Sequence, residues 1–318
     1  TLLLGVEQAR RGMRESFTGT IRGTDLIVGA RGGETQLLLG SVFGIGSPTG
    51  SVSSRTYERW RTHPAIRWTV PLVIGDSHRG YRVIGTTEAL FEHWRFRKTG
   101  RLTFAAGAPM RDEHDIVIGS EVAARLGYAI GDSVVVGHGL QAVEGLGDHE
   151  AHPFVVVGVL ARTFTPLDRA LFVTLDGIEA MHEEEEGEGH DAAPPVMPGA
   201  GAPPVMPGAP PMPGAGAAPT AGGMAVAEEP RALSAFLVGT KTRFETLQLK
   251  REIDRWRDEP LTAVIPGVTL AELWRTLGAI EGGLRLVGGL TVVIGLLGML
   301  VALYSSLEAR RREMAVLR

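Results

Sequence analysis

The sequence has no cysteine among its 318 residues. Disulfide frameworks, thiolate zinc sites, iron–sulfur clusters and cysteine nucleophiles are therefore all excluded. Charged residues are also scarce, at 21% of the chain, whereas hydrophobic residues make up 44%. This balance is typical of a chain that buries a core, and the length would suit about two average domains.

No nucleotide-binding or catalytic motif is complete. The Gly-Lys-Ser/Thr ending of a phosphate-binding loop is missing, because Thr240 separates Gly239 from Lys241. Segment 44–49 fails the dinucleotide fingerprint at its last position. Segment 148–152 has two residues between its histidines, whereas the zinc-protease helix needs three. We therefore predict that the chain is not an enzyme, holds no cofactor and does not itself bind ATP in this way.

The sequence also lacks a strongly basic character. Seven acidic residues and no Lys or Arg occur from Glu179 to Asp191, and taking these seven from the net charge of −4 leaves only +3 for the remainder. A nucleic-acid-binding surface is therefore disfavoured. His182 and His190 in this run are weak candidates for metal ligands, but acidic runs of this kind are usually solvated. We predict no metal site.

One long apolar run is present, Leu286–Leu307, which contains no charged residue. A helix needs about 20 residues to cross about 30 Å of hydrocarbon, so this run predicts a transmembrane helix that lies in a lipid bilayer. The arginines that follow it are Arg310, Arg311, Arg312 and Arg318. By the positive-inside rule, the C-terminal end is expected in the cytoplasm and residues 5–285 outside it.

Amphipathic helices are predicted on both sides of the exported part. Residues 1–4 are expected to be the outer end of an earlier transmembrane helix, and residues 5–24 show one apolar helical face that predicts an N-terminal stalk. Leu270, Leu273 and Leu277 follow coiled-coil spacing, which predicts a C-terminal stalk over residues 269–285.

Residues 25–268 are predicted to form an extracytoplasmic α+β domain. Runs of Val, Ile and aromatic residues bounded by Gly, Asp and Pro predict strands. These strands are 26–30, 66–74, 81–85, 116–118, 133–136, 154–160, 170–174 and 235–239, and the predicted helices are 56–62, 121–126 and 244–256.

A low-complexity insert interrupts this domain. Residues 192–227 carry no charge and hold ten of the 19 prolines, and the unit Ala-Pro-Pro-Val-Met-Pro-Gly-Ala occurs at 193–200 and again at 202–209. Such a composition cannot form a core. Together with the acidic run, it predicts a disordered surface loop over residues 179–230.

Glycines are frequent along the predicted return helix. They include Gly278, Gly282, Gly288, Gly289, Gly295 and Gly298. Small residues in membrane helices let neighbouring helices approach closely, so these glycines predict tight helix packing. The alternative is that they reflect a chain with 43 glycines in all.

Three segments resemble a known family. The most specific is the ending Leu-Glu-Ala-Arg-Arg-Arg-Glu-Met-Ala-Val-Leu-Arg at 307–318, and the next is the Leu-Gly-x-x-x-Gly-Asp pattern within 116–136. The third is Phe-Val-Val-Val-Gly-Val-Leu at 154–160, followed by Pro-Leu-Asp at 166–168 and Ala-Leu-Phe-Val at 170–173. The sequence resembles the FtsX-like permease family of ABC transporters, which includes the MacB and LolC/LolE permeases. The resemblance covers most of the chain except about 179–230.

The resemblance implies a MacB-like periplasmic core domain on a four-helix permease subunit in the bacterial inner membrane. Such subunits pair as homo- or heterodimers and transmit the ATP-driven motion of a separate ABC ATPase. Segment 308–318 would then lie against the ATPase, through Glu308, Arg310, Arg311, Arg312, Glu313 and Arg318. Lipoprotein extraction, efflux and regulation of a cell-wall hydrolase stay open as activities. A membrane-anchored sensor or binding domain without transport is the alternative of a different class.

Overall fold

The computed structural model describes residues 19–46, 50–97, 99–138, 152–188 and 232–316. The chain divides into two compact units, Thr1–Pro266 and Gly267–Arg318. The predicted membrane tip at 1–4, most of the predicted stalk at 5–24 and most of the predicted insert lie outside the described residues.

The first unit is an α+β domain, as predicted. Its described strands are β1 (Leu26–Ala30), β2 (Val52–Ser53), β3 (Ile66–His78), β4 (Tyr81–Thr86), β5 (Arg95–Phe96), β6 (Gly100–Arg101), β7 (Phe104–Gly107), β8 (Asp115–Ile118), β9 (Ser133–Val134), β10 (Gly137–His138), β11 (Phe154–Leu160), β12 (Ala170–Thr174), β13 (Ala232–Leu233), β14 (Ala235–Thr240) and β15 (Leu261–Val264). Its described α-helices are α1 (Glu34–Leu38), α2 (Ser54–Arg61), α3 (Ala89–His93), α4 (Ser120–Leu126), α5 (Leu175–Glu188) and α6 (Arg243–Asp254). A π-helical turn (Leu39–Phe43) follows α1, and a 3₁₀ turn (Pro166–Arg169) precedes β12.

Most of these strands form one large sheet. Its order is β15-β1-β14-β3-β4-β12-β8-β11-β7, with β10 beside β3 and β9 beside β11. Neighbouring strands are antiparallel except β4 with β12 and β8 with β11, which are parallel.

The long strand β3 joins two halves of this sheet. Its beginning, from Ile66 to Leu72, pairs with β14, whereas its end pairs with β4. One core lies on the first half, where α2 and α6 contribute Trp60 and Leu249. A second core lies on the other half, where α4 and α5 contribute Val122 and Met181. The sheet of this domain therefore has two halves that share strand β3, each with its own core.

The first half has the order of a split βαβ fold. The elements β1, α2, β3, β14, α6 and β15 follow one another as β-α-β-β-α-β, and their strands lie in the antiparallel order β15-β1-β14-β3. The second half, from β4 to α5, is inserted between the second and third of these strands. Thr242 is the N-cap of α6, because its Oγ1 accepts from the Glu245 backbone N–H, and the same hydroxyl donates to the Glu245 carboxylate.

The two halves are also joined by a partly buried arginine. Arg82 on β4 donates from Nη1 to the carbonyl oxygen of Gly40 in the π-helical turn, at 2.8 Å. Burial lowers the pKa of Arg82 to about 10, because the charged guanidinium loses hydration.

Helix α5 occupies residues 179–188, where the sequence predicted the start of the disordered insert. The helix begins at Leu175, and Ile178 and Met181, one turn apart, are buried in the second core. That burial favours helical structure at the start of the acidic run, which a reading of composition alone does not capture. The part of the predicted insert from 189 to 230 lies outside the described residues.

The second unit is a single helix, α7 (Pro266–Val316), of 51 residues. At about 1.5 Å per residue it is roughly 77 Å long. It passes without a break through the predicted C-terminal stalk, the predicted transmembrane segment and most of the predicted coupling segment.

Candidate functional site

Helix α7 contains a segment that is long and apolar enough to cross a membrane. The segment is Leu286–Ser306, with a mean hydropathy of 2.5, and it is the one such segment among the described residues. None of it is buried within the chain. Exposed apolar surface of this extent marks a membrane or protein contact. The span agrees with the predicted one to within a residue.

The helix glycines have open space beside them. Apart from the neighbouring backbone of the helix itself, a Cβ atom built at any of them would meet no atom of the described residues within 4 Å, and this holds for Gly278, Gly282, Gly288, Gly289, Gly295 and Gly298. Their proposed role in packing against another helix stays a prediction.

The predicted coupling segment continues α7. The helix extends to Val316, so Glu308, Arg310, Arg311, Arg312 and Glu313 lie on it, whereas Arg318 is outside the described residues. Contact of these residues with an ATPase stays a prediction.

A lysine fixes β15, the strand that precedes α7. Lys250 Nζ donates to Glu34 Oε1 and to Asp254 Oδ2, each at 3.0 Å, and to the carbonyl oxygen of Ala263 on β15. Asp254 Oδ1 in turn accepts from the Ala263 backbone N–H at 2.9 Å. Burial alone would lower the pKa of Lys250, but the hydrogen bonds to Asp254 and Glu34 outweigh it and raise the pKa. Both backbone polar groups of Ala263 are thereby held by α6.

A carboxylate fixes the loop just before β15. Glu259 Oε1 accepts from the Ser53 backbone N–H at 2.8 Å, and Oε2 accepts from the Ser53 hydroxyl at 2.6 Å. Burial alone would raise the pKa of Glu259, but these hydrogen bonds outweigh it and lower the pKa. The loop is thus joined to the start of α2.

The chain enters and leaves the domain at one place. Strands β1 and β15 are antiparallel neighbours, and Ile27 is the direct partner of Val264. Partners in such a pair lie about 4.5–5.5 Å apart between Cα atoms. Because β1 begins at Leu26 and β15 ends at Val264, the entering and leaving chain segments emerge side by side. One residue, Ile265, then separates β15 from α7.

The described part of the chain brings possible metal ligands together in one turn. In the described part of the chain, one group of side chains has ligand atoms within 4.8 Å of one another, namely Asp112, Glu113 and His114, all exposed. They lie in a turn shaped by Asp115, which accepts from two backbone N–H groups. His182 lies 3.5 Å from Asp76, outside any such described group, and His190 is outside the described residues.

Sequence reasoning missed Lys250 and Glu259. One signal was available for the first, because Lys250 is one of only three lysines in the chain. No sequence signal pairs Glu259 with Ser53, since 206 positions separate them.

Solved structures and one protein family are similar to this chain. No curated protein matches the chain. Among solved structures, the periplasmic region of MacB from Actinobacillus actinomycetemcomitans is 10% identical, covers 81% of this chain and 95% of its own, and has a TM-score of 0.43. The extracellular domain of the noncanonic ABC-type transporter YknZ from Gram-positive bacteria is also 10% identical, covers 76% of this chain and 99% of its own, and has a TM-score of 0.37. Residues 3–192 match the family described as the MacB-like periplasmic core domain. Since this match spans more than half of the sequence, the chain belongs to the MacB-like periplasmic core domain family of ABC-transporter-type permeases.

Proposed function

We propose that this chain is part of the membrane subunit of an ABC transporter. A separate ATPase hydrolyses ATP, and the subunit converts that event into motion of its extracytoplasmic domain, which drives export or extraction of a substrate. A second permease subunit completes the assembly in the inner membrane. Residues 5–285 lie on the outer side and the end of α7 in the cytoplasm.

The adjacency of Ile27 and Val264 supports this proposal most directly. A domain whose entering and leaving segments emerge side by side receives force from both membrane helices at one edge of its sheet. That edge is firmly held, since Lys250 and Asp254 bind both backbone groups of Ala263 and Glu259 anchors the preceding loop. A single linking residue, Ile265, leaves few free dihedral angles between the strand and α7.

The motion is testable because the chain has no native cysteine. A spin label on Cys at the exposed Gln248 reports the distance between the two domains of a homodimer, or a fixed reference in a heterodimer, in nanodiscs with the ATPase. We expect the label distance to change between the nucleotide-free and ATP-bound states. Insertion of Gly-Ser-Gly between Ile265 and Pro266 should abolish the change while ATPase binding persists. A wild-type distance that ATP leaves unchanged would refute the proposed coupling.

The docking role of the helix end needs its own test. Replacing Glu313 by Lys should weaken co-purification with the ATPase and its stimulated hydrolysis, because a charge would be reversed at the contact. Replacing Arg311 and Arg312 by Lys separates docking from anchoring, since Lys meets anionic headgroups equally well but cannot form forked carboxylate pairs. If all three changes leave binding and hydrolysis unaltered, the segment only anchors the helix.

A further inference from the structure

Three arginines lie directly opposite one another on a small sheet. Arg22 forms an antiparallel bridge with Arg95 on β5, and Arg95 is the direct partner of Arg101 on β6. Side chains of directly opposed residues share one face of a sheet. Like charges in this arrangement are destabilising, so the fold itself gives no reason to collect them.

No carboxylate of the described chain forms an ion pair with these arginines. The same holds for Arg97 and Arg162 nearby, and Arg22, Arg97, Arg101 and Arg162 are exposed. Burial, followed by the charge of Arg101, lowers the pKa of Arg95. Five positive charges are thus gathered without a matching negative charge among the described residues.

An exposed aromatic ring adjoins this charge. Phe164 is 58% exposed, and its ring lies under two guanidinium groups, with the centroid 4.7 Å from Cζ of Arg162 and 5.3 Å from Cζ of Arg97. These cation–π contacts orient both arginines beside the ring. We name Arg22, Arg95, Arg97, Arg101, Arg162 and Phe164 together the Arg–Phe surface.

The backbone at this surface is strained and firmly held. Arg97 has φ of 53° and Phe164 has φ of 58°, and the described residues include only one other non-glycine residue with positive φ. Asp168, which is 5% exposed, fixes the Phe164 loop by accepting from the backbone N–H groups of Thr163 and Phe164 at 2.8 and 2.7 Å. Strained residues that the surroundings hold in place occur preferentially at functional sites.

We propose that the Arg–Phe surface docks a partner protein that presents carboxylates to the arginines and apolar atoms to the exposed part of the Phe164 ring. Complementary charge is supplied by the partner, because the described chain supplies none. The surface combines an aromatic residue with arginines, and both residue types are enriched at protein interfaces. The proposal does not depend on ATPase coupling, which concerns the other end of the chain.

The experiment uses the full chain in phosphatidylcholine nanodiscs and a fluorescent random copolymer of glutamate and tyrosine as the acidic, aromatic probe. Replacing Arg22, Arg95 and Arg101 by Gln should weaken binding of the probe at least about tenfold, and Phe164→Ala should weaken it by about tenfold. The matched control replaces Arg243 and Arg251 on α6 and Arg255, which directly follows it, by Gln and should change the affinity less than about twofold. Melting temperature verifies folding, and the first triple variant should melt at or above the wild-type temperature because repulsion is relieved.

Three outcomes would overturn the proposal. In the first, the probe fails to bind the wild-type chain. In the second, the α6 control loses as much affinity as the Arg–Phe variants, which would indicate a general charge effect. In the third, vesicles containing phosphatidylglycerol bind in an Arg95-dependent manner while the copolymer does not, which would assign the surface to lipid headgroups instead.

Discussion

Replacing Lys250 by Met tests whether β15 is fixed as described. The change keeps the apolar stem but removes three hydrogen bonds that Nζ donates, to Glu34, Asp254 and Ala263. The Glu34 side chain is 46% exposed, so that pair contributes only about 0–1 kcal/mol. Losing the other two partners, on a residue that is largely shielded from solvent, costs about 1–2 kcal/mol. We expect unfolding to become easier by about 2 kcal/mol, which lowers the melting temperature of a domain of this size by about 4–8 °C.

The matched control for this prediction is Lys241→Met. Lys241 is exposed, and its Nζ donates to the carbonyl oxygen of Pro64. Removing it should change the stability by less than about 0.5 kcal/mol. Thermal unfolding of the full chain in detergent, followed by intrinsic tryptophan fluorescence, compares the variants. Equal shifts for the two lysines, or no shift for Lys250, would refute the assignment of Lys250 as the residue that fixes β15.

Three further predictions address other parts of the chain. Folding lowers the pKa of Glu259, so the carboxylate stabilises the fold above pH 4.5, the ordinary pKa of a Glu side chain, and this stabilisation is lost as the pH falls through the folded-state pKa. Glu259→Gln should therefore make the melting temperature fall less steeply as the pH is lowered. Gly107→Ala should destabilise by several kcal/mol, since φ is +75° and a Cβ would lie 2.0 Å from the Val157 carbonyl oxygen, whereas Gly127→Ala, at φ +77° with open space around it, should cost only about 1 kcal/mol. In spheroplasts, an impermeant thiol reagent should label Cys at Gln248 and spare Cys at Arg310; the reverse result would invert the topology.

Several strands could be predicted from sequence to the residue. The bounds of β1, β11 and β12 are those predicted, because each is a dense run of apolar and β-branched residues with Gly, Pro or Asp nearby. Strand β15 was missed, since four residues without a clear alternation carry no such signal. Helix α3 was also missed, because it is too short to show a helical pattern. Short elements depend on tertiary contacts, which no local pattern encodes.

The end of β3 shows how tertiary contacts override a local pattern. The prediction ended this strand at Ile74, because Asp76, Ser77 and His78 are polar. The structure continues it to His78, and all three side chains are buried. Buried polar groups require partners, and His78 has them in Tyr128 and the carbonyl oxygen of Val135. Those partners are some 50 or more positions away along the chain.

The candidate sites also differ in whether the sequence alone could predict them. The apolar segment of α7 could be predicted because composition over about 20 residues is sufficient evidence for a membrane span. The contacts of Lys250 with Glu34 and of Glu259 with Ser53 join residues 216 and 206 positions apart. The Arg–Phe surface likewise combines three separate stretches of chain. Such sites exist only once the sheet has formed.

The topology constrains how the proposed motion would reach the second half of the domain. In the proposed motion, force that entered at Ile27 and Val264 would act on β1 and β15 and would pass through β14 to β3, because that is their order in the sheet. Strand β3 would then carry it onward, since its end pairs with β4 beyond an irregularity between Ile74 and Ser77. The hydrogen bond from Arg82 to Gly40 gives a second connection between the halves. Coupling follows packed, hydrogen-bonded elements, so the two halves are expected to move together unless β3 bends at that irregularity.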